Sequence, residues 1–371
     1  MTRQDIHIVV DKNIPYIQGI LEPYARVSYY DTTEITNAVV HDADMLIVRT
    51  RTRVDKRLLS GSRCKFVGTA TIGYDHIDTQ YCAENGIRWV NAPGCNALSV
   101  GQYVLASILL WARSKNYKVS DMTIGIVGVG FVGSVVEKYC RALGMKVLLN
   151  DPPRAAVEGE KGFVSLEEIA SKSDIVSFHT PLVMQGEYAT CHLGSAQFFD
   201  SLRRSPLVIN TSRGAVVDNY ALLRALNTEK VGDAVMDVWE GEPRLNTALM
   251  LASFIATPHI AGYSSDGKSN ATRMIVEAVG KELGIAIDTT ELVPPTPPVS
   301  TFSLARNSDP IVTAVLSSYN PLFETRNLKR QPHDFEKLRN SYGIRREFHA
   351  YTVTGVKDNN ATVLRELGFK V

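Results

Sequence analysis

The chain has 371 residues, 44% of them hydrophobic and 21% charged, with a formal net charge of +1. That length and apolar content exclude a disordered or fibrous chain and ask for two or three domains around ample core. A charge balance so near neutrality excludes nucleic-acid or membrane recognition by bulk charge, so any anion site is local.

In chain order, "IHIVV" opens a rhythm of short apolar strands and longer helical stretches, followed by "MLIVRT", "KFVGTA" and "RWVNAP" up to about residue 95. Strands alternating with helices mark parallel sheets with helical crossovers. Inside this run, "VRTRTRV" (48–54) puts arginines on alternate positions. An unbroken strand would set all three on one face, opposite Thr50 and Thr52. Arg49 and Arg51 become candidates for an anionic group only where the strand breaks, and Arg53 reads as solvated. "YVLASILLWA", Tyr103 to Ala112, is half the ~20 residues of a membrane span and reads as a buried helix. The five cysteines (Cys64, Cys82, Cys95, Cys140 and Cys191) are scattered, with no CxxC pair. With no apolar leader ahead of the first strand, they predict reduced thiols, no metal centre and a cytoplasmic protein.

A second run of strands, "TIGIVGVG", "KVLLND", "IVSFHTP", "PLVINTS", "AVMDVW" and "SFIATPH", spans about 123 to 259. It begins with Gly128-x-Gly130-x-x-Gly133 between a strand and a helical pattern. In such a turn the first glycine permits the bend, the second admits a pyrophosphate to the backbone, and the third brings helix and strand together. Asp151 ends the next strand, at the spacing where an acid takes the ribose hydroxyls of NAD and repels the extra phosphate of NADP. Arg154, just beyond, is the one residue that pulls the other way.

Three later segments carry titratable or anion-binding side chains past strand ends, where open α/β sheets place their chemistry. These are Arg213 in "VINTSRGAVVD", Asp237, Glu240 and Glu242 in "VMDVWEGEP", and His259 in "IATPHIAGY". Hydride transfer from a hydroxyl-bearing carbon needs a base for the hydroxyl proton, which suits histidine near neutral pH. A carboxylate on its second ring nitrogen would orient it, and a planar arginine fork suits a substrate carboxylate. Four prolines in "PPTPP" predict a stiff linker over about 292–303. The remaining ~70 residues form a piece too small to hold much core alone. In it "DFEKLRNSYGIRRE" and "NATVLREL" read as helices and "AYTVTGV" as a strand. Arg345 and Arg346 read there as helix positions facing solvent, structural rather than catalytic.

"GIVGVGFVG", "INTSRGAVVD", "DVWEGEP" and "TPHIAGY", in that order, resemble the D-2-hydroxyacid dehydrogenase family. "VDKNIPY", "KFVGTATIGYDHID", "APGCNA", "NDPPR" and "FEKLRNSYGIRRE" are similar to its vitamin B6-pathway branch. The resemblance implies an α/β fold: a Rossmann-type NAD domain, a flavodoxin-like substrate domain and a small α+β C-terminal dimerisation domain. The implied boundaries are 1–95 with 265–285 for the substrate domain, 96–264 for the NAD domain and 286–371 for a homodimer-forming domain. It implies Arg213, Glu242 and His259 as catalytic. Asp151, Thr180, Thr211, Ser212, Asp237 and Gly262 would contact NAD, alongside Gly128, Gly130 and Gly133. Thr50 (where the family pattern has serine), Thr71 and Tyr263 would contact substrate. The implied activity is NAD-dependent oxidation of 4-phospho-D-erythronate at C2. Other readings are a different D-2-hydroxyacid dehydrogenase, such as one acting on 3-phosphoglycerate, and a non-catalytic NAD-sensing regulator.

Overall fold

The structure, a computed structural model, describes residues 5–305 and 309–371; the first four residues of "MTRQDIHIVV" lie outside them. The described chain divides into two compact units, residues 1–96 with 265–295 and residues 97–264 with 296–371.

The first unit is built on five strands: β1 (His7–Asp11), β2 (Arg26–Tyr30), β3 (Met45–Val48), β4 (Phe66–Thr69) and β5 (Arg88–Val90). All pair in parallel, in the order β2-β1-β3-β4-β5, the flavodoxin-like arrangement. Strands covered on both faces are apolar throughout, as in the fully buried "MLIV" of β3. The helix Ser265–Leu283 returns to this sheet, packing Ile275, Val276 and Val279 with Ile8, Val10, Ile47 and Phe66. β2, "RVSYY", sits at the edge, half-buried, and lacks the apolar run that identifies its neighbours.

"VRTRTRV" is not one strand. β3 ends at Val48 and the chain turns, with the Thr52 amide donating to the Arg49 carbonyl at 3.2 Å. Arg49 donates to the Asn13 carbonyl at 3.0 Å, Thr50 is exposed and Thr52 is buried. Arg53 lies 3.5 Å from Asp55 with its side chain largely in solvent.

The second unit holds β6 (Thr123–Val127), β7 (Lys146–Asn150), β8 (Ile175–Phe178), β9 (Leu207–Asn210), β10 (Asp233–Met236) and β11 (Ile255–Ala256). They form a parallel sheet in the order β11-β10-β9-β8-β6-β7. The order reverses at β6, with β7 on one side and β8 on the other. That switch point opens a crevice beyond the strands' carboxyl ends. The helix Ala97–Lys115 is buried from Ser99 to Ala112, and no helix of the described residues is long and apolar enough to cross a membrane.

The C-terminal segment shares the core of the second unit. Phe348 lies 5.6 Å, ring to ring, from Tyr139 and stacks on Phe369 at 4.6 Å. The helix Leu322–Arg330 runs along β11, where the Ala256 amide donates to Thr325 Oγ1 at 3.3 Å, so the sheet edge is covered. Its two short strands, β12 (Thr301–Ser303) and β13 (Thr352–Thr354), pair in parallel. The helix in "FEKLRNSYGIRRE" stops at Asn340. Arg345, Arg346 and Glu347 follow in non-helical chain and are buried, which corrects the solvated-helix expectation. Arg345 instead donates to the Ala261 carbonyl and to Ser99, with its guanidinium 4.4 Å from the Tyr319 ring centre.

Candidate active site

The glycine turn sits at the switch point. Gly128 has φ +87°, and a Cβ there would lie 2.8 Å from the His179 carbonyl carbon, so the turn needs glycine twice over. A Cβ on Gly133 would lie 2.1 Å from the Gly128 oxygen, so the helix Phe131–Ala142 can start this close to β6 only with glycine. Nothing lies within 4 Å of a Cβ built on Gly130, and that open space at a helix N-terminus is what a pyrophosphate requires.

Asp151 closes β7. It accepts from the Val129 amide at 2.7 Å and the Arg154 amide at 3.1 Å, which fixes its carboxylate beside the turn. Arg154 is occupied elsewhere. It pairs with Glu158 at 2.8 Å, donates to the Val129 carbonyl and packs over Phe163. Its Nε, Nη1 and Nη2 are thus each engaged within the protein, which ties the guanidinium to its own helix and to the glycine turn. The turn, its open approach and this acid fit NAD.

Beyond β8, Thr180 has a buried hydroxyl, and its methyl carbon lies 2.7 Å from the Cβ position of Gly128. His179 bridges Ser177 (2.8 Å) and Thr211 (3.3 Å), and burial pushes its pKa down to about 3, so it serves as a neutral strut. Beyond β9, Asn210 holds the next loop closed. Its Oδ1 accepts from the Ser212 amide and hydroxyl, and its amide donates to the Arg213 carbonyl at 2.9 Å. That turn sets the direction in which Arg213 leaves the backbone.

The loops beyond β10 and β11 meet at a carboxylate–histidine pair. His259 Nδ1 lies 2.8 Å from Glu242 Oε2, while Glu242 Oε1 accepts from the Trp239 amide at 2.9 Å. Burial opposes ionisation of Glu242, but the His259 bond and charge, the Trp239 amide and Arg339 together hold its carboxyl below the usual range. A depressed folded-state value contributes stability above the ordinary glutamate range, lost as pH falls through that depressed value. His259 has φ +57°, a conformation rare outside glycine and characteristic of functional turns.

Asp237 supports that turn from behind. It is 1% exposed and accepts from Thr257 Oγ1 (2.6 Å) and the Ile260 and Ala261 amides (2.8 and 2.9 Å), while its carbonyl accepts from the His259 amide. Burial raises its pKa despite those bonds. Gly262 and Tyr263 follow in the same loop, half-buried.

The structure sets His259 on Glu242, and Arg213, the expected NAD residues and Tyr263 belong to the same second unit. Thr50 and Thr71 belong to the first unit. Thr71 Oγ1 donates to the Gly73 carbonyl at 2.9 Å and meets Thr69 at 2.8 Å. Arg339 of the C-terminal segment escaped the sequence reading. Its Nε donates to the Tyr263 hydroxyl at 2.9 Å, and its Nη1 lies 3.9 Å from Glu242 Oε2.

Residues 108–261 match the family model of the D-isomer specific 2-hydroxyacid dehydrogenase NAD binding domain, and residues 293–368 match a domain of unknown function. Erythronate-4-phosphate dehydrogenase of Bacteroides thetaiotaomicron is 48% identical over 357 residues, covering 94% of this chain and 99% of that protein. The chain belongs to the erythronate-4-phosphate dehydrogenase family. The enzymes of that name from Porphyromonas gingivalis (39% identical, 98% of this chain, 99% of that protein) and Escherichia coli (40%, 98% and 97%) extend the family match along nearly the whole chain. Among solved structures, D-lactate dehydrogenase from Aquifex aeolicus, complexed with NAD and lactic acid, aligns with a TM-score of 0.62 at 26% identity. That alignment covers 75% of this chain and 95% of that one. NAD-bound 3-phosphoglycerate dehydrogenase from Entamoeba histolytica aligns with a TM-score of 0.63 at 25% identity, over 74% and 94%. The second unit is thus the NAD-binding half of an NAD-dependent oxidoreductase.

Proposed function

We propose that this protein oxidises 4-phospho-D-erythronate at C2 to (R)-3-hydroxy-2-oxo-4-phosphooxybutanoate in the cytoplasm, within pyridoxal 5′-phosphate biosynthesis. The observation that carries the reading is the 2.8 Å contact between His259 Nδ1 and Glu242 at the carboxyl end of the NAD-binding sheet. With Nδ1 held, Nε2 is the nitrogen that takes the C2 hydroxyl proton, and the Glu242 carboxylate stabilises the resulting imidazolium. Arg213 binds the substrate carboxylate, and Tyr263, Thr50 and Thr71 supply hydroxyl contacts. Asp151, Thr180, Thr211, Ser212 and Gly262 line the NAD site with the glycine turn, and Asp237 fixes the loop bearing His259. NAD, when bound, accepts the hydride from C2.

The experiment is NADH formation from 4-phosphoerythronate beside 3-phosphoglycerate. The proposal predicts a kcat/KM at least about 10²-fold higher for the first, the scale on which a site built for one polar group rejects another. The reverse order would make this a phosphoglycerate enzyme, and NAD binding without turnover of either would make it a regulator. The protein is further proposed to form a homodimer through the C-terminal segment, where Phe323 and Ile344 are 69% and 62% exposed. Sedimentation at micromolar concentration showing only monomer would contradict that assembly.

A further inference from the structure

The segment that matches a domain of unknown function sends one charged side chain to the catalytic pair. Arg339 stands on the short helix Phe335–Asn340, anchored by Phe335, which is 1% exposed in the same apolar cluster as Met236, Trp239 and Ala256. Lys329 fastens the preceding helix to the carbonyls of Leu251 and Ser253. This docking places Arg339 beside the loops that follow β10 and β11. Its Nε donates to the Tyr263 oxygen at 2.9 Å, its guanidinium lies 5.5 Å from that ring's centre, and Nη1 is 3.9 Å from the oxygen of Glu242 that holds His259.

We propose that Arg339 is a positioning residue for the dehydrogenase reaction, through which the C-terminal segment completes the active site: it keeps Glu242 ionised and aimed at His259 and fixes Tyr263. The inference rests on the functional reading above, because it acts through Glu242 and His259. Among the described residues, the charges that act most on Glu242 are His259 and Arg339, beside the Trp239 amide. A fixed cation this close favours the carboxylate over the carboxylic acid. Because Arg339 donates to the Tyr263 oxygen, the phenol acts as an acceptor on that side and is held in place there. An arginine meets both partners at once because its donors are spread over a planar fork; a lysine at 339 would keep only the charge.

The test compares wild type with Arg339→Gln and Arg339→Lys, using NADH formation from 4-phosphoerythronate across pH, with NADH binding and thermal unfolding measured on each protein. Arg339→Gln is expected to lower kcat about 10–100-fold, the usual worth of an outer residue that orients a functional ligand. NADH affinity should stay within a few-fold, and the acid limb of kcat/KM should move to higher pH by about one pH unit, because Glu242 then takes its proton more readily. Arg339→Lys should return the acid limb towards wild type while recovering only part of kcat. A folded Arg339→Gln enzyme with wild-type kcat and an unmoved limb would overturn the proposal. So would a loss confined to the KM of the phosphorylated substrate, which would make Arg339 an anion contact. Should Arg339→Gln fail to fold, a folded Arg339→Lys enzyme with an unrestored acid limb would overturn it alone. A wild-type protein inactive on every hydroxy acid would instead defeat the functional reading.

Discussion

Replacing His259 with alanine is expected to lower turnover of 4-phosphoerythronate about 10²–10⁴-fold, the range that a positioned general base contributes. The glycine turn and Asp151 stand on β6 and β7, so NADH affinity should be nearly unchanged. The imidazole is prepared on both sides. Glu242 holds Nδ1 at 2.8 Å, and Asp237, through its carbonyl, fixes the backbone of His259 in its positive-φ conformation. Alanine would leave both supports without a ring to act on. Near-normal turnover in a folded His259→Ala enzyme would refute the assignment of the base.

The second large effect is expected at Arg213. Lysine keeps the charge but replaces a planar fork with a single ammonium, so Arg213→Lys should reduce kcat/KM by about 10²-fold or more. The loop that presents Arg213 is closed by Asn210, through two bonds to Ser212 and one to the Arg213 carbonyl, while the guanidinium adds a bond to the Ser212 carbonyl at 2.9 Å. The Asn210 bonds survive the substitution, which should leave folding and NADH binding intact. Matching wild-type kinetics would show that Arg213 does not hold the substrate carboxylate.

The parts of this structure that were legible in the sequence are those whose physics is local. Strands β1 and β3 to β11 were visible as short apolar runs between helical stretches. The nucleotide turn was visible because Gly128 and Gly133 occupy positions where any Cβ would strike backbone. β2 escaped because an edge strand need not be continuously apolar, and "RVSYY" is half-wet. "VRTRTRV" left the end of the strand open, because alternation is compatible with a strand without requiring one; the chain leaves the sheet at Val48. Arg345 and Arg346 were misread for a similar reason. Their helical spacing continues past Asn340, but the helix does not, and the buried guanidinium of Arg345 packs on Tyr319. Arg339 carried no signal at all. Its partner Tyr263 lies 76 positions away, and nothing in "FEKLRNSYG" distinguishes it from a solvated helix charge. Such a contact exists only once the C-terminal segment has packed into the core of the second unit.

In the proposed reaction a hydride leaves C2 of 4-phosphoerythronate for NAD as His259 takes the hydroxyl proton. That step is tested most directly with substrate carrying deuterium at C2. The NADH formed is expected to carry that deuterium on its nicotinamide ring, in step with the appearance of the 2-oxo acid. NADH formed without the label, or label lost to water, would contradict it.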